Sequence, residues 1–275
     1  MKPEMVITDL DGTFLNSSGK ISHNNQKAMQ ALAELNVLTV IATGRSLYSV
    51  KKIVPRKLPV NYIVFSSGAG IYDWQKEEII EANHLLPDSV RRGVLSFHQN
   101  KIDYFIHSPI PDNHKFDYYI FDGSQSSDSW RRIDLYQNFA SKIENLSNYS
   151  YTNSCQIIGI TRPGLRHYES IKEELSELEV IRSTSPLDHR SLWIEVFPKN
   201  ISKSTACEKI RLMKNIPHSR TLALGNDFND LDLLNWAKLS YIVENAPRSI
   251  KNNYETTVHH DNDAFYKLIQ STFEV

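Results

Sequence analysis

Short apolar runs alternate, in the first part of the chain, with stretches whose apolar positions recur at helical spacing. Met5–Thr8 reads as a buried strand that ends at two carboxylates. Ala28, Ala31, Leu32 and Leu35 then share one face of a helix, with Ser22 upstream as a plausible N-cap. Val37–Ala42 is a β-branched run ending at Thr43-Gly44-Arg45. A short helix over Leu47–Val54 precedes Pro55, and Tyr62–Phe65 gives a third strand ending at Ser66-Ser67-Gly68-Ala69-Gly70. Strands that alternate with helices predict crossover units and a parallel sheet.

From about Asn83 to Asp188 the texture changes. Aromatic residues become dense (Tyr104, Phe105, Phe116, Tyr118, Tyr119, Phe121), and Pro109 and Pro111 interrupt the run. Helices are expected near Asp134–Ile143 and Tyr168–Leu178, with β-prone segments between them. The earlier rhythm then returns: Leu192–Phe197 a strand, Lys203–Met213 a helix, Thr221–Leu224 a strand, Leu231–Trp236 a helix, Ser240–Val243 a last strand and Ala264–Thr272 a closing helix. The expectation is an α/β chain in which residues 1–82 and 189–275 form one parallel-sheet core, with 83–188 inserted as a separate α/β unit.

Composition narrows the function. The chain has 275 residues, enough for two domains, with 40% apolar and 23% charged residues and a net charge of −1. Neither global basicity nor a basic run points to nucleic acid or to an anionic membrane surface. No apolar stretch approaches the roughly 18 residues that span a bilayer. Cys155 and Cys207 have no metal-like spacing and are too few for a disulfide framework. A cytoplasmic protein is expected; its oligomeric state is left open.

Four short segments carry chemistry. Asp9-Leu10-Asp11-Gly12-Thr13 follows the first strand directly, at the end of a parallel strand, where open α/β sheets bind ligands. Two crowded carboxylates repel by about 4 kcal/mol at about 4 Å, and a hard divalent cation such as magnesium offsets that repulsion; a solvated turn is the plainer alternative. At Thr43-Gly44-Arg45 the hydroxyl and backbone N–H groups suit phosphate oxygens, or Thr43 simply caps the next helix. Lys203, in the first turn of a helix, opposes the helix dipole unless it neutralises a phosphate or carboxylate; otherwise it is a surface lysine. Gly225-Asn226-Asp227-Phe228-Asn229-Asp230 packs oxygen ligands between a strand and a helix, suiting a metal or an N-capping loop with Asn229 or Asp230 as cap.

Together, in this order and at these boundaries, the four segments resemble the motifs of the haloacid dehalogenase superfamily, and more narrowly its Cof-type sugar-phosphatase branch, subclass IIB. Ser66-Ser67-Gly68-Ala69 resembles the segment that leads towards the cap in that branch. The resemblance covers both core segments; the cap is placed by position and size. It implies a Rossmann-like parallel-sheet core with an inserted α/β cap domain, and a magnesium-dependent phosphatase acting on a small phosphorylated metabolite such as a sugar phosphate. Asp9 would be the nucleophile and Asp11 the general acid and base. Thr43, Gly44, Arg45 and Lys203 would hold the phosphate. Asp9, Asp11 through its carbonyl, and the 225–230 loop would hold Mg2+. The chain departs from the pattern where the branch usually has a carboxylate directly after the loop glycine: Asn226 stands there, and an extra acid follows at Asp227. Asp227, with Asp230 behind it, is the expected ligand, and Asn226 the alternative. Arg162, Arg166 and His167 are candidates for contacting the substrate body. A phosphomutase of the same branch, or a non-catalytic metabolite sensor on the same scaffold, are the alternative functions.

Overall fold

The computed structural model describes residues 2–121, 124 and 126–274. Its strands are β1 (Met5–Thr8), β2 (Leu38–Ala42), β3 (Tyr62–Phe65), β4 (Gly70–Asp73), β5 (Glu78–Ala82), β6 (Asp103–His107), β7 (Phe116–Tyr119), β8 (Ala140–Lys142), β9 (Ile157–Thr161), β10 (Glu179–Thr184), β11 (Leu192–Phe197), β12 (Thr221–Gly225), β13 (Leu239–Ile242) and β14 (Glu255–Thr256). The helices are α1 (His23–Glu34), α2 (Leu47–Ile53), α3 (Pro87–Gln99), α4 (Ser127–Leu135), α5 (Arg166–Glu174), α6 (Lys203–Met213), α7 (Leu231–Trp236), α8 (Arg248–Lys251) and α9 (Ala264–Phe273). The chain divides into two compact units, residues 1–81 with 202–275, and residues 82–201.

The first unit is built on an eight-stranded sheet of order β14-β13-β12-β1-β2-β3-β4-β5. From β14 to β3 the pairs are parallel, and β4 returns antiparallel on β3. Every residue of β1 is buried, as expected of a strand covered on both faces. β1 lies where the strand order turns back: one crossover runs to β2 on one side, and β12 pairs on the other. Thr8 is level with Ile41 and with Leu224, so the carboxyl ends of β1, β2 and β12 emerge together. Ser22 caps α1 as expected, accepting the Asn25 N–H. Phe14 meets Phe265 of α9 edge to face at 5.0 Å, which ties the segment after β1 to the closing helix.

The second unit holds a six-stranded sheet of order β10-β11-β9-β6-β7-β8, antiparallel except for β7 beside β8. α3 and α5 supply Val90, Val94, Phe97 and Ile171 to an apolar cluster with Ile157, Ile194 and Val196. A second cluster gathers Phe105, Phe116, Ile158, Ile160 and Trp193. Among them the buried Arg132 of α4 lies 4.6 Å from the Trp193 ring and reaches His107 Nε2 at 2.9 Å.

Three sequence expectations are corrected here. Leu192–Phe197 belongs to the second unit: β11 lies between β10 and β9, antiparallel to both, so the unit extends to residue 201 and not 188. An interior antiparallel strand, buried along its whole length and apolar at every position but Glu195, reads like a parallel core strand. The helix expected over Asp134–Ile143 is instead α4, ending at Leu135, followed by β8; Ala140–Lys142 pairs with β7. The helix expected over Tyr168–Leu178 runs over Arg166–Glu174, and a turn brings Leu178 to β10. Among the described residues no helix is long and apolar enough to cross a membrane.

Candidate active site

Backbone hydrogen bonding carries the β1 ladder one residue past the strand, since the Asp9 N–H donates to the Leu224 carbonyl at 2.9 Å. That bond fixes Asp9 at the carboxyl end of β1. The chain then coils through Leu10–Phe14, with Gly12 at a φ of 71°, in the left-handed region that glycine enters without strain. A methyl group on Gly12 would stand 2.7 Å from Asn226 Nδ2, so the Asn226 side chain packs directly on this turn. Asn245, just after β13, closes it from another side by donating to the Gly12 carbonyl at 2.8 Å.

Lys203 opens α6 behind its N-cap, Ser202, whose side chain and backbone exchange hydrogen bonds with Thr205. The lysine is 1% exposed, which rules out the surface alternative. Its ammonium donates to Asp9 Oδ1 at 2.7 Å and to Asp230 Oδ1 at 2.5 Å. The other Asp230 oxygen accepts the N–H groups of Asn226 and Asp227 at 2.8 and 3.1 Å, which folds the 225–230 loop around that carboxylate. Asp230 is therefore a hub of the loop, and its carboxylate caps no turn of α7.

Electrostatics follow from this burial. Two carboxylates and one ammonium leave the cluster with a formal charge of −1. Desolvation, reinforced by the charge of Asp230, pushes the Asp9 carboxyl up to about 7 in spite of Lys203. The same two carboxylates outweigh the desolvation of Lys203 and hold its ammonium well above the usual lysine range. Asp9 Oδ2 is buried and has no hydrogen-bond partner. A buried anionic oxygen with no donor, in a cluster of net negative charge, fits a hard cation, so the residues present are compatible with magnesium.

Thr43 continues β2 in the same way, donating its N–H to Val64, and its hydroxyl accepts the Arg45 N–H at 3.2 Å. The cap of α2 is Ser46, not Thr43. Arg45 grips Asp11 in a two-pronged ion pair, with Nε–Oδ2 and Nη2–Oδ1 both 2.6 Å, and its Nη1 rests on Ser49 Oγ at 2.9 Å. The site thus holds its two motif aspartates differently: Asp9 on a buried lysine, Asp11 on a half-exposed arginine.

Beyond β3, Ser66 and Ser67 both adopt left-handed backbone, with φ of 48° and 52°, and both are buried. The Ser67 N–H donates to the Thr43 carbonyl at 3.0 Å. Gly68, at a φ of 108°, leaves room where a methyl group would lie 2.1 Å from the Ser202 carbonyl oxygen, so the turn after β3 abuts the start of α6. The structure therefore brings together Asp9, Asp11, Thr43, Gly44, Arg45, Lys203, Asn226 and Asp230 at the carboxyl ends of β1, β2 and β12. Asp227 is buried at the loop, where it begins the turn to Asp230. The sequence singles out Ser67 only as part of the segment leading towards the cap, and it misses Asn245; Asn245 follows the β13 apolar run, the one signal that could have drawn attention to it. Arg162, Arg166 and His167 lie exposed around the β9–α5 turn of the second unit.

Comparison with known proteins agrees with this fold. The family model of the haloacid dehalogenase-like hydrolases matches residues 6–269. The chain is 23% identical to "Phosphatase YwpJ" of Bacillus subtilis, over 90% of this chain and 92% of that protein. It is 22% identical to "5-amino-6-(5-phospho-D-ribitylamino)uracil phosphatase YitU" of the same organism, over 100% of this chain and 99% of that one. Among solved structures, BT1666 from Bacteroides thetaiotaomicron, described among phosphatases of the haloalkanoate superfamily, superposes with a TM-score of 0.78 at 17% identity, covering 100% of this chain and 96% of that one. The subclass IIB sugar phosphatase BT4131 superposes with a TM-score of 0.76 at 16% identity, covering 99% and 100%.

Proposed function

The chain belongs to the haloacid dehalogenase-like hydrolases, and we propose that it is a magnesium-dependent phosphatase of small phosphorylated metabolites, sugar phosphates foremost, working through an aspartyl-phosphate on Asp9. The observation that carries this reading is the division of labour at Asp9: Oδ1 is held by Lys203, while Oδ2 is buried and unpartnered.

Magnesium would be held by Asp9, the Asp11 carbonyl and the 225–230 loop, and when bound it supplies charge neutralisation for the meeting of carboxylate and phosphate. Of the two loop candidates the packing favours Asn226, whose amide lies on Gly12, over the Asp227 expected from sequence. Every chemical step rests on the protein's own groups. Lys203 fixes Asp9 for in-line attack on phosphorus and offsets the negative charge that gathers there. The Thr43 hydroxyl and the N–H groups after β2 receive phosphoryl oxygens. Asp11 passes a proton to the leaving oxygen, then takes one from the water that hydrolyses the aspartyl-phosphate. Arg45 aims Asp11 for both tasks. The unit formed by residues 82–201 is assigned the selection of the substrate body. A panel of phosphorylated sugars, nucleotides and cofactors, assayed for released phosphate with and without magnesium, tests the proposal. Release by the wild type and none by Asp9→Asn supports it. Binding of metabolites without turnover would favour a sensor, and dependence on a bisphosphate activator a mutase.

A further inference from the structure

A second cluster of metal-type ligands stands apart from Asp9. His259, His260 and Asp261 begin the short turn ahead of α9, and one donor atom from each lies within 4.8 Å of the others. His259 Nδ1 is 3.7 Å and His260 Nε2 4.0 Å from Asp261 Oδ2. Ser17 Oγ joins them, 2.6 Å from Asp261 Oδ2 and 3.4 Å from His260 Nε2.

Hydrogen bonding sets the protons in the arrangement a metal requires. His260 Nδ1 is 2.7 Å from the Leu15 carbonyl, which only accepts, so Nδ1 carries the proton and Nε2 a lone pair. A backbone carbonyl orienting the far nitrogen is the usual way in which a ligating imidazole is held. His259 Nδ1 accepts the Asp261 N–H at 3.2 Å, so its lone pair is engaged there and an ion would take it over from that N–H. The single Ser17 hydroxyl proton goes to Asp261 at 2.6 Å, leaving His260 Nε2 only a long contact. The His260 Nε2 lone pair, the Asp261 carboxylate and the His259 nitrogen that now accepts the Asp261 N–H thus lie close together. The His260 side chain is 10% exposed, whereas Asp261 at 41% gives an ion a way in.

We propose that His259, His260 and Asp261, completed by Ser17 or water, bind a zinc-class divalent ion. Ligands about 2.0–2.2 Å from tetrahedral zinc lie about 3.3 Å apart, so binding draws the His259 and His260 nitrogens towards Asp261 from the observed 3.7 and 4.0 Å, and towards each other from within 4.8 Å. Imidazole with carboxylate selects zinc, cobalt or nickel over magnesium, which prefers oxygen throughout. The His260 N–H donates to Asn245 Oδ1 at 3.1 Å, and Asn245 donates in turn to the Gly12 carbonyl, so the ion pins both the 15–17 segment and the turn after Asp9.

Cobalt is the probe, since its visible absorption reports imidazole ligation directly. Untagged protein, stripped by chelation, is titrated with Co2+ and then challenged with Zn2+. With excess Mg2+ present to occupy the Asp9 site, one cobalt per chain with imidazole-type absorption is expected, displaced by zinc. His260→Ala should weaken binding by about 100-fold or more. His259→Ala, which leaves the bonds of His260 to Leu15 and Asn245 in place, should weaken it comparably without loss of fold. Asp9→Asn should bind cobalt as the wild type does. No uptake by the wild type, or uptake lost in Asp9→Asn and kept in both histidine variants, overturns the assignment.

Discussion

Replacing Lys203 with methionine keeps most of the side-chain volume and removes the ammonium that Asp9 and Asp230 share. At an effective dielectric of about 20, contacts of 2.7 and 2.5 Å each carry a gross attraction of about 6 kcal/mol. Desolvation of three buried ions offsets most of that, and breaking such a group from one side costs about 3–5 kcal/mol, because the carboxylates are left facing each other. The loss should depend on pH. Asp9 already sits at about 7, and removing Lys203, which lowers it, drives it higher. A carboxyl raised by folding holds its proton in the native state where the unfolded chain has lost it. Stability therefore falls as pH climbs from about 4, the unfolded value, through the folded one. Metal-free wild type and Lys203→Met should differ little at pH 5 and most at pH 8. Urea unfolding followed by circular dichroism at the two values measures this. An equal loss at both, or a loss under about 1 kcal/mol at pH 8, would refute the account of Lys203 as the counter-ion of two buried carboxylates.

Asp9→Asn should abolish turnover and, by removing a charge from the same cluster, raise metal-free stability at pH 8 by about 1–2 kcal/mol, read from the urea midpoint. Arg45→Ala should cost less than about 1 kcal/mol of stability, because its pair with Asp11 is partly exposed. It should lower kcat by up to about 100-fold, as Asp11 loses its two-pronged clamp. In magnesium titrations of phosphatase activity, Asn226→Ala should raise the half-saturating concentration more than Asp227→Ala does; the opposite order would return the ligand role to Asp227.

Much of the first unit is legible because its strands are short, apolar and end at polar turns. The ends of β1, β2, β3 and β12 carry Asp9, Thr43, Ser66 and Asn226, and pattern alone finds the first three ends and places the fourth one residue early, at Leu224. β11 is not legible in that way: LWIEVF has no alternation to reveal that its neighbours are antiparallel. Nor are the pairings within the site. That Lys203 reaches both Asp9 and Asp230 depends on the packing of α6 against β2, β3 and α7, which no local signal encodes. Asp11 and Arg45 are similarly brought together across two strands. The preference for Asp227 rests on a carboxylate being the better magnesium ligand by chemistry; packing adds what sequence does not carry, that the Asn226 side chain rests on Gly12.

The central claim is that Asp9 carries the phosphoryl group. Asp11→Asn should slow hydrolysis of the intermediate more than its formation when the substrate is nitrophenyl phosphate, whose leaving group needs little protonation. Acid quench of that variant during turnover, borohydride reduction and peptide mass spectrometry then locate any acyl phosphate. The account predicts reduction of the Asp9 carboxyl alone, dependent on substrate. An unmodified Asp9 peptide, with nitrophenol still released in a burst, would contradict it.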